Sequence, residues 1–551
     1  MTRLSSRLVQ RMLRLPPPLT RDLTVERDLR VPLRDGAELL ADRWVPKSGG
    51  QGLPTALVRI PYGRSGMIAA QLVRPLAERG FQVLVQSTRG TFGSGGGFDP
   101  LRCEREDGLD TLGWLVEQPW CGEAVVLYGG SYLGFAQWAV ADAVPPQVKA
   151  MIPSVSESAF TLEFLRTESF SLEATLGWGL QVAGQERRFA LLHQLLRLRK
   201  ERRAWYTLPL GRADTAATGR RSPYFQDVLA HDADSPFWQV LDHSRRVADI
   251  TVPVSTVGGW FDIFLPGQIR DFRTLQEAGR TARLTVGPWA HISLGVGQAA
   301  AAEALDFGLA HAHGRQPADR APVRLFVMGE EKWREFPSWP PPGYEPRRFH
   351  LQPDGGLSTE APTESAPDGY RYDPADPTPA VGGVRMAVGV RSGRADNTAL
   401  EARPDVVTYT TPVLDNDVEV IGEVAAEIWF RSGLPYADVF VRLCDVDGRG
   451  RSTNVCDGLT GLTDADTDQA SRADVRLWPT AYRFKRGHRI RVQISSGAFP
   501  RYNRNPGTGE PRATATTLRA ADQQVFHDPA HPSAIVLPVR EVGREDHLGA
   551  G

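Results

Sequence analysis

The chain has 551 residues, more than one ordinary hydrophobic core accommodates, so two or three domains are expected. Its 64 basic and 65 acidic residues nearly cancel, which excludes a strong electrostatic attraction to nucleic acid or to an anionic membrane. Hydrophobic residues make up 41% of the chain, as is typical of a soluble globular protein.

The first part of the chain alternates short apolar strands with helices. A hairpin is expected over Leu29–Pro46, because its two halves alternate around the favoured turn Asp35-Gly36. The expected strands that follow it are Ala56–Ile60, Gln82–Gln86, Ala124–Tyr128 and Val148–Pro153. Helical patterns separate them, so we predict a mostly parallel sheet covered by helices on both faces.

Ser131 lies at the end of one of these strands. The apolar run Ala124–Tyr128 stops on Gly129 and Gly130, and the chain restarts as a helix after the serine. A sharp strand-to-helix turn lifts a serine hydroxyl clear of the sheet and directs the first amides of the helix at the atom it attacks. The match to G-x-S-x-G is imperfect, because Leu133 occupies the last position and the small residue is displaced to Gly134.

The strand rhythm is interrupted between residues 154 and 245, where the sequence predicts helices. The stretch 187–205 is basic and amphipathic, and we interpret it as the solvated face of a packed helix, since the rest of the chain is not basic. A helical insertion within an α/β domain is expected to cover the carboxyl edge of the sheet, where ligands bind in such folds.

Two polar residues follow the next two expected strands. Val252–Val257 leads into Asp262, and Arg283–Val286 leads into His291. A serine nucleophile needs a histidine to accept its proton and a carboxylate to orient that histidine, and α/β-hydrolases carry them in the order Ser, acid, His. His311 and His313 remain alternatives to His291, although they lie on a helix-like segment without a preceding strand.

After residue 320 strand patterns with Gly, Pro and Asp turns dominate. The clearest expected strands are Val323–Met328, Val418–Arg431, Ala437–Asp445 and Arg489–Ser495. We therefore predict an α/β-hydrolase domain of residues 1–153 and 246–320, a helical cap domain of residues 154–245, and a β-sandwich domain of residues 321–551.

Signals for metals, cofactors and secretion are weak. The acidic stretch 464–468 lacks the glycine and the glutamate of a calcium loop, and no phosphate or dinucleotide fingerprint appears, so no metal and no cofactor are expected. The four cysteines lack zinc spacing and are expected to be free thiols, with a Cys444–Cys456 bridge as an alternative. Arginines and prolines interrupt segment 1–23, so a signal peptide is not expected and the expected location is the cytoplasm.

Short motifs along nearly the whole chain resemble one family, the cocaine-esterase-like (CocE/NonD) serine hydrolases, which are related to Xaa-Pro dipeptidyl-peptidases and α-amino-acid ester hydrolases. The matching stretches are Arg59–Tyr62, Thr88–Gly90 with Ser94 and Phe98, Gln118–Cys121, Gly129–Gly134, Gly259–Asp262, Gly287–His291, Tyr372–Pro377, Cys456–Gly458 and Phe499–Tyr502. Each motif is short, but their combination is highly specific.

The resemblance implies a fold and a set of site residues. The fold is an α/β-hydrolase core with a helical cap insertion and a C-terminal jelly-roll-like β-sandwich. The implied catalytic residues are Ser131, Asp262 and His291, and the implied oxyanion donors are the Tyr62 hydroxyl and the Tyr132 backbone N–H. Phe264, with some of Trp138, Phe160, Phe164 and Phe170, would line an apolar substrate pocket; of these we select Phe264.

Two positions depart from the family pattern. Ser87 stands where relatives commonly carry Asp before Thr-Arg-Gly, so the buried ion pair to Arg89 is not expected from that position. Leu133 stands where amino-ester hydrolases often carry an acidic residue, which favours neutral esters.

The sequence thus predicts a serine hydrolase that cleaves ester or amide bonds of small acyl substrates through an acyl-enzyme. A Xaa-Pro dipeptidyl-peptidase, and a non-catalytic protein that binds ligands through its β-sandwich, are the alternatives. The expected partner is a small ester or acyl substrate; nucleic acid and membrane are not expected, and a homo-oligomer is left open.

Overall fold

The computed structural model describes residues 3–159, 169–187, 190–386 and 389–541. The described chain divides into two compact units, the first formed by residues 1–161, 184–190 and 235–324 and the second by residues 162–183, 191–234 and 325–551. The division into three domains stays a prediction. No helix within the described ranges is long and apolar enough to cross a membrane.

The helices lie mainly in the first three hundred residues. They are α1 (Arg3–Met12), α2 (Gly66–Ala77), α3 (Glu104–Val116), α4 (Tyr132–Trp138), α5 (Leu172–Val182), α6 (Ala190–Ala204), α7 (Ala213–Thr218), α8 (Pro223–Ala230), α9 (Leu265–Glu277), α10 (Leu294–Glu303), α11 (Leu309–Ala312) and α12 (Thr398–Glu401). Short 3₁₀ and π turns cover Leu210–Arg212, Pro236–Leu241, Ser244–Asp249, Ala304–Gly308 and Pro353–Gly355.

Eight strands build the sheet of the first unit: β1 (Leu23–Pro32), β2 (Glu38–Pro46), β3 (Thr55–Ile60), β4 (Gln82–Ser87), β5 (Val125–Gly130), β6 (Val148–Ser154), β7 (Val254–Phe261) and β8 (Ala282–Ala290). Their order is β1-β2-β4-β3-β5-β6-β7-β8. The hairpin β1–β2 and the β2–β4 pair are antiparallel, and every later pair is parallel. This confirms the predicted α/β-hydrolase sheet.

The interior strands β3 to β5 are almost entirely buried, as expected for a parallel sheet with both faces covered. One core cluster joins residues of these strands, such as Leu57 and Leu127, to helix residues such as Leu112 and Trp138. Because both faces are filled by helices, the carboxyl edge of the sheet is where polar side chains gather.

The remaining strands follow residue 322: β9 (Val323–Val327), β10 (Lys332–Phe336), β11 (Glu345–Gln352), β12 (Gly356–Ser358), β13 (Asp368–Tyr372), β14 (Val407–Thr410), β15 (Val418–Gly422), β16 (Ala425–Ser432), β17 (Ala437–Val446), β18 (Ser452–Leu462), β19 (Ser471–Arg476), β20 (Thr480–Phe484), β21 (Arg489–Ser495), β22 (Ala521–Phe526) and β23 (Ala534–Glu541). The single strand predicted over Val418–Arg431 is two strands, β15 and β16. Pairing in the second unit is mostly antiparallel, as in β17–β18, β17–β21 and β11–β23.

All four cysteines are free thiols, as the first expectation stated. Cys444 and Cys456 lie on the neighbouring strands β17 and β18 but are not paired in register. Burial raises the pKa of both thiols. They are therefore inert apolar side chains of the second unit.

Candidate active site

Ser131 occupies the turn between β5 and α4 in a strained backbone conformation. Its φ is 59° and its ψ is −125°, a region that side chains other than glycine rarely adopt. Backbone hydrogen bonds hold the turn: the Ser131 N–H donates to the Ser154 carbonyl at 2.9 Å, and the Ser131 carbonyl accepts from the N–H groups of Gly134 and Phe135. The strain is thus maintained by the neighbouring strand β6 and by the helix itself.

Two glycines allow α4 to pack this closely. A Cβ at Gly129 would lie 2.5 Å from the Leu133 Cβ, and a Cβ at Gly134 would lie 2.5 Å from the Ser156 Cβ. Neither position tolerates a larger residue without displacing the helix. This packing explains why the small residue of the G-x-S-x-G motif stands at position 134 in this chain. Residue 134 is the one that faces the segment after β6.

Asp262 and His291 come together because their strands are paired in register. Phe261 of β7 is the partner of Ala290 of β8, so the residues that follow, Asp262 and His291, leave the sheet side by side. In the sheet order β7 lies next to β6, which in turn lies next to β5, the strand that leads to Ser131. All three side chains consequently meet at the carboxyl edge of the sheet.

A continuous chain of hydrogen bonds links the three residues. His291 Nε2 lies 2.9 Å from Ser131 Oγ, and His291 Nδ1 lies 2.6 Å from Asp262 Oδ2. Asp262 is completely buried, and the imidazole of His291 is 7% exposed. A carboxylate can only accept, so Nδ1 carries the proton and Nε2 is left to accept the hydroxyl proton of Ser131.

The second oxygen of Asp262 is also engaged. Asp262 Oδ1 accepts the backbone N–H of Phe264 at 2.9 Å, which fixes the carboxylate in the plane that His291 requires. The ring of Phe264 lies against the imidazole, with 5.4 Å between the two ring centroids, and the side chain is 6% exposed. Phe264 therefore contributes an apolar wall directly beside His291.

The two predicted oxyanion donors are placed at the same edge. Tyr132 is the first residue of α4, and the first amides of a helix have no acceptor within it. Tyr62 follows β3, the neighbour of β5, and the preceding Pro61 carbonyl accepts a hydrogen bond from Gln185 Nε2 at 2.9 Å. Tyr62 is half-buried.

Other expected residues have different surroundings. Trp138 packs in the hydrophobic core, and Phe170 is fully buried in the second unit, while Phe160 and Phe164 lie outside the described residues. His311 lies on α11 with its ring against Phe307, at 4.4 Å between centroids.

Within the described residues, no group of three or more His, Cys, Asp or Glu side chains is arranged to hold a metal ion.

Arg89 has ion-pair partners other than the one considered from the sequence. Its guanidinium lies 2.6 Å from Asp107 and 2.7 Å from Asp35. Asp107 is buried and Asp35 is half-exposed. The absence of an aspartate at Ser87 is therefore compensated from α3 and from the hairpin turn.

Comparisons with known proteins find similarity along nearly the whole chain. Residues 35–293 match the family model of the X-Pro dipeptidyl-peptidase (S15 family), and residues 317–536 match that of the X-Pro dipeptidyl-peptidase C-terminal non-catalytic domain. A cocaine esterase from Rhodococcus sp. (strain MB1 Bresler) is 32% identical, over 94% of this chain and 98% of that protein.

Two solved structures show the same fold. An α-amino acid ester hydrolase superimposes with a TM-score of 0.81 at 22% identity, covering 96% of this chain and 98% of the other. An aminopeptidase from the marine sediment archaeon Thaumarchaeota archaeon gives a TM-score of 0.82 at 21% identity, covering 95% and 98%. At this identity the likeness concerns the fold alone.

Proposed function

The chain belongs to the CocE/NonD family of serine hydrolases, whose members are esterases or peptidases, and from this premise we propose that it hydrolyses esters of small acyl groups through Ser131, His291 and Asp262. The observation that carries the proposal is the unbroken hydrogen-bonded chain from Ser131 Oγ through His291 to the buried Asp262. Membership of a hydrolase family argues against the alternative of a non-catalytic binding protein.

The proposed reaction proceeds in two halves. Ser131 Oγ attacks the ester carbonyl carbon while His291 Nε2 takes its proton, and the resulting imidazolium is stabilised by Asp262. The bond to the alcohol oxygen then breaks, and His291 returns the proton to that oxygen. Water next attacks the acyl group on Ser131 by the same route, which releases the acid and restores the serine hydroxyl.

The negative charge that develops on the carbonyl oxygen needs donors already in place. We assign this role to the Tyr132 backbone N–H and the Tyr62 hydroxyl, since both residues follow neighbouring strands at the edge where Ser131 lies. Phe264 would contact the acyl or alcohol group, because its ring lies beside His291.

Replacing Tyr62 by phenylalanine is expected to lower kcat for p-nitrophenyl butyrate by about 10²–10³-fold, the usual loss when one oxyanion donor is removed. Steady-state kinetics measure this, with the change expected in kcat more than in KM. The control is Tyr206→Phe, which removes the hydroxyl of a tyrosine that is 53% exposed. A kcat for Tyr62→Phe within twofold of the control would remove Tyr62 from the site.

The ester assignment is favoured over dipeptidyl-peptidase activity by the apolar ring of Phe264, which lies directly beside His291. A peptidase that removes dipeptides must bind the charged amino terminus of its substrate, which calls for a carboxylate there. The 32% identity to a cocaine esterase also supports an ester substrate for this chain.

We therefore expect kcat/KM for p-nitrophenyl butyrate to exceed that for Ala-Pro-p-nitroanilide by at least about 10²-fold, because an unpaired ammonium in an apolar site costs several kcal/mol. Parallel assays of one preparation test this. The reverse order of the two substrates would establish the peptidase alternative.

A further inference from the structure

A buried polar network lies behind the helix that carries the proposed oxyanion amide. The Tyr132 hydroxyl donates to Glu104 Oε1 at 2.7 Å and accepts the backbone N–H of Leu101 at 3.0 Å. Tyr132 is 4% exposed. Burial, together with the Glu104 carboxylate, raises the pKa of the Tyr132 phenol well above its usual value, so the phenol keeps its proton and donates it.

Glu104 also holds the strand that leads to the other proposed donor. Its Oε2 lies 2.9 Å from Arg59 Nη2, and its backbone carbonyl accepts from Arg59 Nη1 at 2.8 Å. Arg59 Nε donates to Gln86 Oε1 on β4 at 3.1 Å. Arg59 and Glu104 are both at least 95% buried, and Arg59 stands on β3 three residues before Tyr62.

The free energy of unfolding alone does not account for this buried arrangement. A buried ion pair contributes little net stability compared with apolar side chains of the same volume, whereas it fixes the positions of the groups it joins. The two groups joined here are the first residue of α4 and the end of β3. The first supplies one of the proposed oxyanion donors and the second leads to the other, Tyr62, and donors of this kind must be placed to within about 0.5 Å.

We propose that Glu104 is a positioning residue of the oxyanion site, which fixes the Tyr132 backbone through the Tyr132 phenol and the β3 end through Arg59. The inference rests on the proposed function, because it concerns the donors of that reaction. It assigns the Tyr132 side chain a role separate from that of its backbone N–H. Neither Glu104 nor Arg59 contacts the reacting atoms, so both act through the residues they hold.

The direct test is Tyr132→Phe, which deletes one hydroxyl and leaves the backbone amide, the ion pair and the serine in place. We expect kcat for p-nitrophenyl butyrate to fall about tenfold, a fraction of the loss on deleting a donor, with KM within twofold. The affinity for a boronic acid, which forms a tetrahedral adduct with the serine, should fall by the same factor. Rates are to be normalised to the sites that a fluorophosphonate titrates.

The matched control is Tyr344→Phe. Tyr344 likewise donates its hydroxyl to a buried glutamate, Glu419, which is paired with Arg334 at 2.6 Å and with Arg483 at 2.8 Å in the second unit. Both substitutions are expected to lower Tm by similar amounts. Only Tyr132→Phe should lower kcat and the boronic acid affinity.

Glu104→Gln supplies a second route should Tyr132→Phe fail to fold. It is also expected to lower kcat about tenfold with KM unchanged, and the double variant should lose less in log kcat than the sum of the single variants, because both act on one linkage. The proposal would be overturned if the losses in log kcat of the two single variants added fully in the double variant. It would also be overturned if Tyr132→Phe had a normal kcat, or a lowered kcat with an unchanged affinity for the boronic acid. Turnover that survives Ser131→Ala would instead refute the proposed function itself.

Discussion

Replacing Ser131 by alanine is expected to lower kcat for p-nitrophenyl butyrate by about 10⁶-fold and to abolish covalent labelling by a fluorophosphonate probe. The substitution removes only the hydroxyl group. Loss of the nucleophile ends acyl-enzyme formation, and the remaining donors and base support only a small residual rate. Steady-state kinetics and intact-protein mass spectrometry after labelling measure the two effects.

The chain offers a matched control for this experiment in its second unit. Ser365 Oγ lies 2.8 Å from His527 Nδ1, and His527 Nε2 lies 3.1 Å from Asp368, so the same three residue types form a second hydrogen-bonded chain. Ser365 precedes a strand and no helix begins at it, so no helix amides face its hydroxyl. Ser365→Ala should leave labelling and turnover unchanged. A probe that still labels Ser131→Ala but not Ser365→Ala would transfer the activity to the second unit.

His291→Ala is expected to lower kcat by about 10⁴-fold or more, while KM changes little. Without the imidazole, Ser131 has no acceptor for its proton and the leaving alcohol has no donor. Fluorophosphonate labelling should slow in parallel, because that reaction needs the same activated hydroxyl. Tm measured by differential scanning fluorimetry should fall, because the buried Asp262 loses its hydrogen-bond partner, but the cooperative unfolding transition should be retained.

The comparison variant is His311→Ala, which removes the histidine considered as an alternative base. His311 packs against Phe307, and burial lowers the pKa of its imidazole. Its loss is expected to cost some stability and to leave kcat within twofold of wild type. Near-normal turnover in His291→Ala, with loss of turnover in His311→Ala or His313→Ala, would assign the base to α11 or its end.

Much of the first sheet could be predicted from apolar runs alone. The expected strands over Ala56–Ile60, Gln82–Gln86 and Val148–Pro153 match β3, β4 and β6 to within one residue at each end. Parallel strands align their carboxyl ends, so Ser131, Asp262 and His291 could be placed at one edge without any contact being known. The register that seats Asp262 beside His291 is a finding of the structure.

The ends of β7 and β8 were less predictable. Both strands run past glycines at which they were expected to stop, reaching Phe261 and Ala290. A Cβ at Gly259 would lie 2.3 Å from the Trp289 carbonyl oxygen, and one at Gly287 would lie 2.5 Å from the Trp289 ring. These glycines make room for Trp289 and do not end the strands. A glycine that ends a strand can be told from one that makes room for a neighbour only when the partner strand is known.

The sequence indicates the network of Arg59, Glu104 and Tyr132 less clearly than it indicates the strands of the first sheet. Arg59 interrupts an otherwise apolar strand, and a charged residue in a buried strand requires a partner. That observation predicts an ion pair but not its partner, since Glu104 lies 45 residues away on α3. Side-chain pairing across elements depends on helix placement, which local sequence patterns do not determine.

The distance along the chain between Ser131 and His291, 160 residues, has a consequence for the protein in the cell. Translation proceeds from the amino terminus at about 5–20 residues per second, so the segment containing the serine is made roughly 8–32 s before the histidine. Throughout that interval a ribosome-bound chain lacks the proton acceptor, and for most of it the chain also lacks the orienting carboxylate of Asp262. Under the proposed mechanism the nascent polypeptide is therefore inactive until β8 joins the sheet and brings His291 to Ser131.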